Sequence, residues 1–119
     1  MTMTITLATL PQATAQEVYS QVRKHLLTQK IKSMSEERKG CVYHGPDGLK
    51  CAAGCLLSEE EYRPTMEGKV WAYLVDRKMV PGAHQGLISG LQAIHDMRDA
   101  ASWEQCLNKL AADFNLEPK

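Results

Sequence analysis

Apolar residues recur every three or four positions in four stretches of the chain, which is the pattern of helices with one buried face. The spacing predicts helices over residues 14–32, 64–78 and 84–98, and a fourth helix that begins at Trp103. The connections between them are short, and short connections are typical of helices that pack as neighbours in one domain. A compact and mostly helical domain is therefore expected.

Three segments have the sequence of a capping box. In this motif a serine or threonine side chain and an acid or amide three residues later each bond the other's backbone N–H at the start of a helix. The three segments begin at Thr14, Ser58 and Ser102. They predict the starts of the first helix, of a short helical turn and of the last helix.

Two of the predicted helices have an informative apolar face. In the helix over 84–98 the spacing places Met97 on the buried side together with leucine and isoleucine residues. In the first helix Leu27 and Ile31 fall almost opposite the buried stripe. Either the helix is covered on two sides within the fold, or that second face contacts a partner, which is another protein or, in a symmetric dimer, a second copy of the chain.

A strong turn signal lies at residues 45–48, Gly-Pro-Asp-Gly. Proline presets the backbone angle of the first turn position, and glycine accepts the positive φ that follows. We predict a β-hairpin with strands near 41–44 and 49–53, followed at Gly54 by a close backbone approach or a bulge. A lone hairpin is marginally stable and has to lie on the helices.

The predicted fold class is α+β, a mostly helical domain of about four helices with a small β-hairpin or short antiparallel sheet. With 119 residues the chain has the length of a single domain, 1–119. Residues 2–10 alternate loosely between apolar and polar positions and Pro11 ends the pattern, so residues 1–12 are predicted to form a strand or a flexible arm.

Charge and composition disfavour several classes of protein. Fourteen basic residues balance fourteen acidic ones, and nucleic-acid binding usually requires a basic surface. No apolar run approaches the length of a membrane span. The N-terminal sequence lacks the basic and apolar regions of a secretory signal, so a cytoplasmic location is expected, with the four cysteines as thiols or metal ligands.

Cys41, His44, Cys51 and Cys55 are the residue types of a zinc site with three thiolates and one imidazole. A zinc-binding module or small metalloenzyme centred on them is one hypothesis. In regular strands, however, Cys41 and His44 point to opposite faces. We favour the alternative that the thiols pack beneath the turn, since free cysteine is among the most buried residue types, and we expect no cofactor.

The sequence shows no convergent set of catalytic side chains, and we predict that the protein is not an enzyme. A cysteine nucleophile needs a neighbouring base, and no pairing stands out. His95, Asp96 and Asp99 resemble the paired ligands of metal-dependent phosphohydrolases, but such sites need further histidines and aspartates. We interpret these three residues as a solvated helix face.

The segment Cys41-x-Tyr-x-Gly-Pro-Asp-Gly-Leu-Lys-Cys-Ala-x-Gly-Cys-Leu56 resembles a motif of small proteins encoded by bacteriophages and prophages. The likeness extends through Glu59–Tyr62, Met66–Gly68 and the Trp103 helix, and so covers most of residues 14–116. The chain departs from the motif at His44, where an arginine is expected. The resemblance implies an origin in a phage or prophage rather than a particular activity.

The leading hypothesis is a small phage accessory protein that binds and inhibits or modulates a protein of the host cell, such as a defence component. Its predicted contact residues lie at the hairpin tip and on the second face of the first helix: Leu27, Ile31, His44, Asp47 and Lys50. The two alternatives are the zinc site described above and a self-associating structural protein, for which a homodimer is expected. Neither nucleic acid nor membrane is a predicted partner.

Overall fold

The structure is a computed structural model that describes residues 4–37 and 40–119. Helices dominate it, and one small antiparallel sheet makes the fold α+β, as predicted. The helices are α1 (Ala15–Gln29), α2 (Trp71–Asp76), α3 (Gln85–Met97) and α4 (Trp103–Asp113), and the strands are β1 (Met34–Ser35) and β2 (Gly40–Cys41). Short 3₁₀ turns form at Leu10–Gln12, Pro46–Gly48, Ala53–Leu56, Pro64–Met66 and Ala100–Ser102.

Helix α1 begins at the predicted capping box. The Thr14 hydroxyl accepts a hydrogen bond from the Glu17 N–H at 3.1 Å, and the Thr14 N–H donates to the Glu17 carboxylate at 2.8 Å. The helix ends at Gln29, three residues before the predicted end, because Lys30 adopts a left-handed conformation with φ 64°. The capping box at Ser58 is confirmed too, through reciprocal bonds with Glu61 of 3.0 and 3.2 Å.

The third capping box is wrong. Ser102 lies in the right-handed helical region, with φ −95° and ψ −7°, and its side chain caps no N–H of α4. Residues Ala100–Ser102 already form a 3₁₀ turn that leads into the helix. A cap requires an extended residue before the first turn, so this entry geometry excludes the predicted bonds.

Helices α1, α3 and α4 enclose the core, and α2 packs against α3. The Tyr19 hydroxyl crosses from α1 to donate to the Leu107 carbonyl of α4 at 2.8 Å, which satisfies a buried polar group. Fully buried side chains are contributed by each of these helices: Val18, Tyr19, Val22, Leu26, Leu74, Ile88, Leu91, Trp103 and Leu107. The described part of the chain contains no helix long and apolar enough to cross a membrane.

The two-stranded sheet forms closer to the N terminus than predicted, and it pairs the segment before residue 36 with the segment after residue 39. Met34 pairs with Cys41 and Ser35 with Gly40, whereas the predicted strands 41–44 and 49–53 are reduced to a single bridge between His44 and Lys50. The chain does reverse at the predicted turn. It then enters the 3₁₀ turn at residues 53–56 instead of extending, so the second strand has no length in which to form.

The predicted helix over 64–78 is also shorter in the structure. Only residues 71–76 are α-helical, and a separate 3₁₀ turn covers 64–66. Between them Gly68 takes a positive φ of 78°, and Glu67 is drawn inward to accept hydrogen bonds from the N–H groups of residues 43 and 44. These long-range bonds compete with the local helix.

At the N terminus the structure describes residues 4–12, and these form no β-strand; Met1–Met3 lie outside the described residues. The segment packs on α1 instead. The side-chain amide of Gln21 accepts from the Ile5 N–H at 2.6 Å and donates to the Ile5 carbonyl at 3.0 Å. The side chains of Ile5 and Leu10 in this segment are buried, so the segment is packed against the core.

Candidate interaction surface

Helix α3 exposes a face without charge. At about 100° per residue, Gly86, Ala93 and Met97 lie within about 40° of one another, with Ser89 beside them. All four are exposed, and the helix carries no Asp, Glu, Lys or Arg from Gln85 to Ile94. The outer face of a surface helix is normally charged, so this face is unusual for a solvated one.

Met97 contradicts its predicted burial. Its side chain is 78% exposed, while the other residues of the predicted face, Leu87, Leu91 and Ile94, are buried. The reason is geometric. Met97 stands at the end of α3, about 120° around the helix from Leu91, so its side chain projects away from the centre of the buried face.

A cleft of about 510 Å³ lies along one side of this face. We name it the Trp71 cleft. Its rim carries two exposed apolar side chains, Val70 at 71% and Met97 at 78% exposure. Helix α3, the segment before α2 and the residues after β2 form the walls, which include Tyr43, Val70, Trp71, Gln92, Ala93 and Asp96.

Trp71 contributes an unsatisfied donor to this region. The side chain is 1% exposed, and its indole N–H has no hydrogen-bond acceptor among the described residues. A buried donor without an acceptor is destabilising by about 1–3 kcal/mol.

A second cleft, of about 360 Å³, lies on the other side of Met97, between α3 and α4. Ala93 and Met97 line both clefts and so form a ridge between them. The remaining lining residues include Ile94, Cys106 and Leu110, together with Lys109 and Asp113. Those last two form an exposed ion pair at 3.2 Å.

At the wall of the Trp71 cleft, the half-buried Asp96 and Cys41 form a polar cluster with the buried His95. The Ser33 N–H donates to His95 Nε2 at 3.0 Å, so this nitrogen carries no proton. The proton is therefore on Nδ1, which lies 2.6 Å from the Asp96 carboxylate and donates to it. His95 is fully buried, and the interpretation of a solvated face is wrong for this residue.

Burial and mutual hydrogen bonds shift the pKa values of Asp96 and Cys41 in this cluster. Burial by itself would raise the pKa of Asp96, but hydrogen bonds from His95 and Gln92 outweigh it and hold the pKa below its ordinary value. Burial raises the pKa of the Cys41 thiol to about 11, and Asp96 adds to the rise. Cys41 is thus a protonated thiol that hydrogen-bonds a carboxylate, which is the opposite of an activated nucleophile.

These three side chains are the metal-ligating group that comes together among the described residues, with ligand atoms within 4.8 Å of one another. A metal ion on His95 Nδ1 would force the ring proton onto Nε2. There it would face the Ser33 N–H, and two donors would oppose each other. The cluster therefore fits a structural role, in which it fastens the segment before β1 to α3.

The predicted zinc residues are not brought together as a group of four within the described residues. Cys51 is buried and accepts from the Gly54 N–H at 3.3 Å, while the Cys55 thiol donates to the Ala52 carbonyl at 3.2 Å. Burial raises the pKa of Cys55 to about 12. Both thiols are thus enclosed in the turn that follows Lys50, and Cys41 faces α3 instead.

His44 is engaged inside the fold. Its Nε2 lies 3.1 Å from the carbonyls of both Gly54 and Leu57, so this nitrogen carries the proton. The ring stacks on Tyr62 at a centroid distance of 4.4 Å. Nearby, the Lys50 ammonium pairs with Glu59 at 3.5 Å. Two of the predicted contact residues therefore have partners within the chain.

The other three predicted contact residues differ in exposure. Leu27 is half-buried and packs against the core, whereas Ile31 is 54% exposed. Asp47 is exposed at the tip of the turn, where its φ is 58°. Because Leu27 packs against the core, it does not form an exposed apolar patch with Ile31.

The α3 face was missed in the sequence pattern, although a signal for it exists. Ten consecutive residues from Gln85 to Ile94 without a charge are unusual for a helix on the outside of a small domain. Attention to the apolar stripe alone assigns Met97 to the core.

Comparison of the chain with protein-family models, with curated proteins and with solved structures gives no match.

Cys41 is expected to react slowly with iodoacetamide. With a pKa of about 11, it should be roughly 100-fold less reactive at pH 7 than a thiol of ordinary pKa, since only the thiolate attacks. The Asp96→Asn variant should react faster, because Asp96 contributes to the shift. Mass spectrometry of the Cys41 peptide over pH 7–11, with N-acetylcysteine as reference, measures both. A midpoint near pH 9 in the wild type would contradict the assignment.

Proposed function

We propose that the protein is a non-enzymatic protein-interaction module and that the exposed face of α3, with its two flanking clefts, is the contact surface. One observation carries the proposal. The surface helix α3 has no charged residue over 85–94 and exposes Met97 at its end, and Met97 and Val70 together form the apolar rim of the Trp71 cleft. Exposed apolar surface of this kind, bordered by polar residues, is typical of protein-binding sites.

The chemistry of the clustered polar side chains supports a role without catalysis. The Cys41 thiol is protonated, and both ring nitrogens of His95 are hydrogen-bonded. The Asp96 carboxylate accepts hydrogen bonds from Cys41 and His95. General base and nucleophilic roles need a group with a free lone pair at the substrate. The zinc hypothesis has less support, because Cys41, His44, Cys51 and Cys55 do not come together as a group among the described residues.

The kind of target follows from the resemblance to phage and prophage proteins. On that basis we propose that the protein acts in the cytoplasm of a bacterial host, and that a host protein which it inhibits or modulates is one class of target. The face of α3 defines the chemistry of the contact and is compatible with a host protein or with a second copy of the chain.

Replacing Ala93 by arginine tests the proposal, because it places a charged side chain on the ridge between the clefts. We expect chemical cross-linking in cells that express the full chain to give a defined protein adduct, either with itself or with another protein. In Ala93→Arg this adduct should fall at least tenfold. Ala112→Arg is the matched control, since Ala112 is an exposed alanine of α4 that lines neither cleft. An adduct of unchanged yield in Ala93→Arg would overturn the proposal.

A further inference from the structure

We propose that the partner of the α3 face is a second copy of the chain. The two α3 helices pair antiparallel about a two-fold axis, so that Met97 of each copy lies over Gly86 of the other. The inference rests on the proposed function and names the partner of the same surface.

The side chains along the face are complementary in size under an antiparallel pairing. The bulky end is Met97, which is 78% exposed. The other end is Gly86, where an added Cβ would meet nothing within 4 Å, so there is open space above it. When the two faces overlap along their whole length, each methionine falls on the open end of the other helix. Ala93 and Ser89, both small, lie between these ends and allow the backbones to approach.

The charges favour the antiparallel arrangement over the parallel one. The uncharged stretch 85–94 is followed near the C-terminal end of α3 by Asp96, Arg98 and Asp99, which leave this end with one net negative charge. A two-fold axis across the helices places this end beside the positive N-terminal pole of the other α3. Parallel pairing would place two C-terminal ends of the same sign together. The formal net charge of the chain is zero, so no long-range repulsion opposes association of two copies.

The area that a dimer needs predicts which residues outside α3 take part. A stable interface buries about 800 Å² per copy. A helix of 13 residues is about 20 Å long and about 10 Å wide, so its face supplies only about a quarter of that area. The contact has to extend over the rims of both clefts. Val70, 71% exposed at the edge of the Trp71 cleft, then lies within the interface.

The oligomeric state of the purified full chain tests the pairing. Sedimentation equilibrium is expected to give twice the chain mass of 13.3 kDa at micromolar concentration. Ala93→Arg and Val70→Glu should each weaken self-association at least tenfold, whereas Ala112→Arg should leave it unchanged. Circular dichroism of each variant verifies that it is folded. A wild-type chain that is monomeric at 200 μM would overturn the inference.

Cysteine cross-linking tests the register. Chains with Gly86→Cys mixed with chains with Met97→Cys should form a disulfide-linked dimer on mild oxidation. Either variant alone should link no more than the wild type, which controls for the native thiols. Under the two-fold axis, identical positions at the ends of the face are separated by about 16 Å along the helices. Equal linking of Met97→Cys with itself would overturn the antiparallel register.

Failure of this inference is distinguishable from failure of the proposed function. A monomeric chain whose cellular adduct contains another protein and is lost in Ala93→Arg would overturn the second copy as partner and leave the interaction module standing. A dimer that Ala93→Arg and Val70→Glu leave intact, with no cellular adduct that depends on Ala93, would overturn both.

Discussion

Replacing Gly54 by alanine is expected to destabilise the fold by about 3 kcal/mol or more, at the upper end of the range for overpacked sites. A Cβ on residue 54 would lie 2.0 Å from the Tyr43 carbonyl oxygen and 2.8 Å from its carbon. These are backbone atoms, and the same carbonyl accepts a hydrogen bond from the Cys51 N–H at 3.2 Å. The clash therefore cannot be relieved by a rotamer change.

Urea denaturation followed by circular dichroism measures this effect as a fall in the free energy of unfolding. Gly82→Ala is the matched control. A Cβ at Gly82 would meet only the Val75 Cγ1, at 3.4 Å, which is an ordinary contact, so we expect a change of less than about 1 kcal/mol. Equal stability losses in the two variants would show that the close approach at Gly54 has been misassigned.

Truncation of Glu67 is the second large effect that we expect. This carboxylate is 4% exposed. One of its oxygens accepts from the Tyr43 N–H at 2.8 Å; the other accepts from the Tyr62 hydroxyl at 2.7 Å and the His44 N–H at 3.3 Å. Glu67→Ala removes the acceptor for all three donors. At about 1–3 kcal/mol for each buried donor left unsatisfied, a total loss of about 3–5 kcal/mol is expected.

The Glu67→Gln variant separates the hydrogen bonds from the packing of the side chain. It keeps one acceptor oxygen and nearly the same volume, so its loss should be smaller, about 1–2 kcal/mol. Glu60→Ala, on an exposed residue, should change stability by no more than about 0.5 kcal/mol. The free energy of unfolding in urea measures all three. If Glu67→Ala matched Glu60→Ala, the carboxylate would have no part in holding the 43–44 segment.

The features that the sequence predicts correctly are those that depend on near neighbours. The capping box of Thr14 needs only Glu17, and the turn at residues 45–48 needs only its own glycines and proline. The helix over 84–98 appears as Gln85–Met97, because its apolar spacing is unbroken. The close approach at Gly54 is also present, because a residue without a side chain is what such a contact requires.

The features that the sequence does not reveal depend on residues far apart in the chain. The predicted second strand is lost, and Glu67 takes the N–H groups of the segment that would pair with it. The position of His95 near a helix end predicts a solvent-exposed side chain. In the structure the segment before β1 packs over it, and the Ser33 N–H donates a hydrogen bond to its ring. Neither partner is within twenty residues, so no local pattern contains the information.

The placement of the two indole rings gives the molecule a pair of built-in optical reporters. Trp103 stacks on His95 at a centroid distance of 5.4 Å, deep in the core, whereas Trp71 forms part of the cleft wall. The Trp103→Phe and Trp71→Phe variants each retain a single tryptophan. In the first variant the emission of Trp71 is expected to respond to a molecule bound in the cleft, and in the second the emission of Trp103 is expected to respond to disruption of the histidine cluster, so each event has its own reporter.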